Sequence, residues 1–293
     1  MKICTALNVL LRLIPLALGS GVLFLGLNNY AFAAQFDHSY QNFSQLLVDV
    51  VQVSDDKKQS RVNYPQLAVN QGNLNRLLNQ FSEVTKGQYD AWTQEQKLSF
   101  LINAYNGFTL KLIVDNWDEF KQGEAQSIRD LGSLFNSPWE MKFFSLFGQT
   151  HALDDIEHEM VRKWFKEPRI HAALVCAAIS CPPLRNQAFV AENLNQQLDN
   201  QMQRFLADNS RNQILVDQGV GQGSLSSIFK WYRSDFEKGD GGFNSLYQLL
   251  STYSEAVVEG DTDQQAQRKI IDSAKYPIIF KDYDWRLNNV ATF

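Results

Sequence analysis

Cysteine, proline and histidine are scarce in this chain, with 3, 7 and 4 of each among 293 residues. None of the cysteines or histidines stands at the Cys-x-x-Cys or His-x-x-x-His spacing that makes a zinc site legible, so no metal is expected. An excess of basic residues is missing too. With 27 Lys and Arg against 32 Asp and Glu the formal charge is -5, no phosphate-neutralising face is implied, and nucleic acid is not an expected partner. Gly-x-Gly-x-x-Gly, a phosphate loop and Gly-x-Ser-x-Gly are all absent, which removes the nucleotide-cofactor and serine-hydrolase readings. No cofactor is expected. The glycine-rich stretch at residues 239–242 reads as a polar turn. No repeat, low-complexity tract or Pro/Gly/Ser linker divides the chain, so one domain is expected.

What is present begins with an amino-terminal processing signal. Lys2 and Arg12 are its only charges, and residues 13–27 are almost wholly apolar, broken by Pro15, Gly19, Ser20 and Gly21. Such a run falls short of the roughly 20 residues of a comfortable membrane span. Ala31-Phe32-Ala33 then supplies small residues where a signal peptidase needs them. The expectation is a signal peptide over residues 1–33 and one globular domain over residues 34–293, with an uncleaved anchor as the rival reading. No cysteine follows the apolar run, which speaks against a lipid anchor there. Removal of Lys2 and Arg12 carries the charge from -5 to -7. The mature protein is expected in the periplasm or outside the cell, with no membrane span after processing.

Composition, at 44% hydrophobic and 20% charged, suits a folded core. Helical period marks residues 43–53, 74–81 and, most strongly, 94–114, where Leu98, Leu101, Ile102, Tyr105, Thr109, Leu112 and Ile113 share a face. Residues 62–64 read as extended because Tyr64 precedes a proline. Residues 141–153 read as a hairpin turning at Gly148-Gln149. Helices follow at 155–165 and 193–207, with short strands at 214–216 and 278–280; residues 170–176 fit a buried strand or a buried helical turn equally. The sum is a helix-rich α+β domain with a small, mostly antiparallel sheet.

After processing only Cys176 and Cys181 remain, in an oxidising compartment where a disulfide is the default. Neither a strand nor a regular helix brings residues five apart within the ~7 Å between α-carbons that a bridge needs. A bridge therefore requires a turn within residues 177–180, and free thiols stay the alternative.

Several patches together resemble a known family. They are Asn103-Ala104-Tyr105-Asn106; Leu153-Asp154-Asp155-Ile156-Glu157-His158 with Arg162; residues 171–176 with Ser180-Cys181-Pro182 and Arg185; Trp231-Tyr232 with Asp235-Phe236; and residues 283–288. In this order they resemble the domain-of-unknown-function family 547 over roughly residues 62–288, an ordered set far more specific than any one motif. The resemblance implies no mechanism. It does imply that His158 and Cys176 are retained residue types, whereas serine often stands where Cys181 is.

On their own chemistry these residues bear two readings each. Asn103 and Asn106 border the apolar face of the longest helix, so their amides cross-link backbone or contact a ligand. Asp154 and Glu157 have capping-box spacing. His158, with Asp154 and Asp155 behind it and Arg162 ahead, is a candidate general base or one rung of an ion-pair ladder. His171 is turned away from Cys176 by a five-residue spacing.

Two functions from different classes follow. One is a cysteine-dependent hydrolase or acyl transferase on peptide or amide bonds in the cell envelope. It has Cys176 as nucleophile, His158 as base, Asp155 as orienter, and Asn103, Asn106 and Arg162 on the substrate; the fold would be of the papain or transglutaminase general kind by analogy. The other is a non-catalytic binding or assembly domain with an envelope partner. A Cys176–Cys181 bridge removes the nucleophile and separates the two.

Overall fold

The longest helix among the described residues, Gln94–Asp115, becomes the axle of the molecule. Thr93 opens it with a reciprocal capping box, its hydroxyl taking the Gln96 N–H while the Gln96 side chain takes the Thr93 N–H at 3.0 Å. From Leu98 onward almost every side is covered, Ser99, Asn103, Asn106 and Thr109 included. A helix enclosed all round belongs at the centre of a core. Helices Tyr64–Val69 and Gln71–Ser82 pack on it, with Gln41–Val50 beside them. Gly107 permits the closest approach, since a β-carbon there would stand 2.6 Å from Leu78 Cδ2.

The computed structural model describes residues 35–133, 136–218, 220–258 and 264–292. The signal-peptide reading of residues 1–33 lies outside them. Residues 36–293 make up one contact unit, built on two apolar clusters. The first surrounds Gln94–Asp115 and the second gathers Phe205, Phe229, Phe236, Leu249 and Leu250.

The fold is helix-rich α+β, and its strands form three small sheets among the described residues. Val51–Val53 pairs with Ser60–Val62, and Phe144–Leu146 with Gln149–His151, both antiparallel. The second pair turns at Phe147 and Gly148, whose φ values of 54° and 76° suit a tight hairpin. Gln213–Asp217 pairs antiparallel with Val220–Leu225, which Ile278–Phe280 joins in parallel.

Local differences from the sequence reading have local causes. The first helix stops at Val50 and its last expected residues pair as a strand. Tyr64 is helical instead of extended: the Asn63 side chain accepts from Gln66 N–H at 3.1 Å and Pro65 falls in the first turn, where proline needs no partner. Residues 170–176 are neither strand nor α-helix. A 3-10 helix, Pro168–Ala172, gives way to irregular chain.

The carboxyl-terminal segment ties the parts together. Ile179 N–H donates to Arg286 O at 2.8 Å, Asn288 N–H to Ala177 O at 2.9 Å, and Val62 N–H to Asn288 O at 2.9 Å. Tyr64 adds its hydroxyl to Asn288 Oδ1 at 2.9 Å. The turn carrying both cysteines is thus fixed by backbone from the far end of the chain.

Candidate functional site

A cleft of about 260 Å³ opens with Leu174 of the first cluster and Ile228 of the second on its lining, beside Tyr283, which packs against both. Trp139, Trp231, Tyr232, Tyr283 and Trp285 line it, and Asp154, Glu157 and His158 enter it from one helix. Cys176 and Cys181 lie at its edge.

That helix is wound as a π-helix over Asp155–Val161 before continuing as Arg162–Trp164. Such turns bond i to i+5 and frequently mark functional sites. Its start is capped by Asp155, which accepts from Ala152 N–H at 2.9 Å and meets His151 Nδ1 at 3.1 Å. The expected capping box of Asp154 and Glu157 does not form: Asp154 N–H donates to Trp139 O at 3.0 Å, and the Asp154 side chain makes no cap bond. Both acids face the cleft.

Residues 154, 158 and 162, four apart, lie along one stripe. His158 Nε2 stands 3.6 Å from Asp154 Oδ1, and Arg162 Nη1 donates to His158 Nδ1 at 2.9 Å. A guanidinium has no acceptor, so Nδ1 must carry its lone pair and the imidazole its proton on Nε2. Arg162 also grips Asp235 through Nε at 2.7 Å and Nη2 at 3.1 Å. His171 Nε2 donates to the same carboxylate at 2.9 Å while its ring stacks on Tyr232 at 3.8 Å.

Burial by itself would raise the Asp235 carboxyl, but hydrogen bonds from His171 and Arg162 outweigh it and hold it well below the usual range. His171, fully enclosed, is pushed down by burial against the upward pull of Asp235. Asp154 is pushed up by burial, against the downward pull of His158 and with a smaller push from Glu157. Glu157 is 6% exposed and faces the hydroxyls of Tyr105 and Tyr232. Among the described residues it has no ion pair of its own.

Cys176 and Cys181 are joined, with α-carbons 6.2 Å apart. The necessary turn comes from Ala177 at φ 62° and from Cys181 N–H donating to Ala178 O at 3.1 Å. Tyr283 Oη lies 3.2 Å from both sulfurs, and Cys176 N–H donates to Cys181 Sγ at 2.9 Å.

Several sequence assignments change against this geometry. Cys176 and His158 share the cleft, but the sulfur is bridged and its hydrogen bond is to Tyr283, while the imidazole is held by Arg162 and Asp154. They form no dyad. Asp155 does not orient His158, since its carboxylate is turned to His151 and Ala152. Neither asparagine lines the cleft. Asn103 exchanges hydrogen bonds with Phe189 N–H and O at 2.9 and 2.7 Å, and Asn106 takes Val175 N–H and gives to Ala173 O, both at 2.9 Å. Each amide is engaged by backbone on both its oxygen and its nitrogen. Arg162 lies outside the lining and holds His158 and Asp235.

The fold and site thus define a helix-rich α+β domain with one aromatic, acid-floored cleft. Residues 89–206 match the family model described as "Protein of unknown function, DUF547". No curated protein and no solved structure matches the chain. The matched segment supplies the acids and both cysteines; Trp231, Tyr232, Asp235, Tyr283 and Trp285 lie beyond it. One wall of the cleft therefore comes from outside the matched segment.

Sequence reasoning missed Asp235 as the hub, Glu157 as a cleft acid, and the aromatic wall. Asp235 was visible only as a carboxylate beside Trp231-Tyr232, with nothing to show that Arg162 and His171 converge on it. No described helix is long and apolar enough to cross a membrane.

Proposed function

We propose that the chain is an exported, non-catalytic binding domain that recognises a small ligand, or the tip of a larger partner, in the aromatic cleft. The observation that carries this reading is the bridging of Cys176 at the edge of an open cleft. A sulfur held in a disulfide is not a nucleophile. Pockets lined mainly by aromatic side chains with a few convergent polar groups are the usual form of a ligand site. Export is supported by the apolar run of residues 13–27, by Ala31-Phe32-Ala33, and by a bridge that needs an oxidising compartment.

Mass-spectrometric mapping of the non-reduced protein tests the reading. The expected result is a cross-linked peptide pair at Cys176 and Cys181, no alkylation without reductant, and Ala34 as the mature amino terminus. Rapid alkylation of Cys176 in non-reduced protein would overturn it. A second reading, the thiol hydrolase or acyl transferase on envelope peptide or amide bonds, draws on Cys176 and His158 lining the same cleft. It requires reductant-dependent turnover of a peptide ester that Cys176→Ser abolishes.

A further inference from the structure

We infer that the ligand of this cleft presents an organic ammonium group, which the aromatic wall takes on its ring faces and the carboxylates of Glu157 and Asp154 take at the floor. The inference rests on the binding reading above and names the chemistry of its occupant.

The wall is suited to a cation. Trp231, 47% exposed, stacks on Trp285 at 5.7 Å and 22°, and Tyr283 stands 4.8 Å from the first and 4.5 Å from the second. Trp139 meets Trp285 edge-on at 5.7 Å. Two rings lining the cleft already hold guanidinium groups: Arg129 lies 5.1 Å from the Trp285 centroid and Arg162 lies 5.2 Å from that of Tyr232. The faces of these rings are thus electron-rich surfaces in use for cation contact.

The floor lacks the charge that such a ligand would bring. Arg162 is engaged by Asp235 through two hydrogen bonds. His158 is engaged by Arg162 through Nδ1 at 2.9 Å. Glu157, more than nine-tenths buried, has tyrosine hydroxyls beside it and only a longer-range attraction to Arg162 and His171 in place of a direct ion pair, and Asp154 has an imidazole at 3.6 Å. A buried carboxylate without a direct counter-charge is costly, and an entering ammonium relieves that cost while its alkyl body covers the rings. An anion would meet two carboxylates. A bare metal ion would leave the aromatic wall without a role, and among the described residues no three His, Cys, Asp or Glu side chains converge as ligands.

The test uses the six indole N–H resonances of the non-reduced full chain, titrated separately with n-butylammonium, n-pentanol and butyrate. The expected result is a saturable shift of Trp139, Trp231 and Trp285 with n-butylammonium, leaving Trp92, Trp117 and Trp164 unmoved. Binding of n-pentanol and butyrate should be at least tenfold weaker. Glu157→Gln and, independently, Asp154→Asn should each weaken ammonium binding tenfold or more; circular dichroism and melting confirm that each variant is folded. Tighter or equal binding of n-pentanol, or ammonium binding that neither folded variant changes, overturns the cation assignment while leaving the binding cleft intact. If no probe moves the three cleft indoles, both the assignment and the binding reading fall.

Discussion

The two ends of the cleft are built by opposite means. At the polar end, Asp154, His158, Arg162, Asp235 and His171 form a chain of side-chain contacts in which Asp235 joins Arg162, 73 residues away in sequence, to His171. At the bridged end, Cys176 and Cys181 are joined covalently, their turn is fixed by backbone hydrogen bonds to residues 284–288, and Tyr283 caps both sulfurs. Removing a single carboxylate should dismantle the first. The second has redundant supports, so a single side-chain loss should only loosen it. The difference is one of means: a polar end held by charged side chains through one carboxylate, and a bridged end held by covalent and backbone bonds.

The sharpest way to break this comparison is to delete the hub. Asp235→Ala strands the buried His171 and the partly buried Arg162, and breaking such a pair from one side costs about 4 kcal/mol. Urea unfolding should report that loss, and less than half of it for Asp235→Asn, which keeps the shape; a loss below about 1 kcal/mol for the alanine variant would mean the hub is not what holds the polar end. At the other end, Cys176→Ala/Cys181→Ala should cost about 2 kcal/mol, the modest value for so short a closed loop. Reductant should lower the wild-type midpoint to match the double variant, and a reductant-insensitive midpoint would show the bridge to be absent. Tyr283→Phe, which removes only the hydroxyl over the sulfurs, should cost about 1 kcal/mol by the same assay.

The smallest effect concerns pH, and His38, also depressed by burial, adds to that of His171 at the polar end with the same sign. Burial depresses His171 relative to the unfolded chain, so the native state binds fewer protons through the histidine range. Its contribution is complete above that range and is lost as the pH falls through it. Asp235 is depressed too and gives way only below the usual carboxylate range, whereas Asp154, raised by burial, has the opposite sign and acts within its own carboxylate range. Urea midpoints measured at about pH 7.5 and about pH 5.5, on either side of the ordinary histidine value, should fall on acidification. Equal midpoints would show that His171 is not held neutral by the fold.

What could be read from sequence alone was whatever neighbours in the chain decide. Thr93 and Gln96 mark the start of Gln94–Asp115, three residues apart, because a capping box needs no distant partner. The hairpin at Phe144–Leu146 and Gln149–His151, the helix-rich α+β class and the need for a turn between the cysteines have the same local origin. The family resemblance found the right residue types at the right stations, yet not their partners. Asp154 and Asp155 are adjacent acids, and only the fold sends one to His158 and the other to His151. Asn103 and Asn106 looked equally fit for substrate or backbone until Phe189, Ala173 and Val175 were brought against them. Asp235 meets His171 across 64 residues, and Trp231 meets Trp285 only when the carboxyl-terminal segment closes over the cysteine turn. Hydrophobic period and capping are nearest-neighbour quantities that a sequence carries in its spacing, whereas a polar side chain takes its partner from whichever group burial leaves unsatisfied beside it, and that is settled only when the chain has packed.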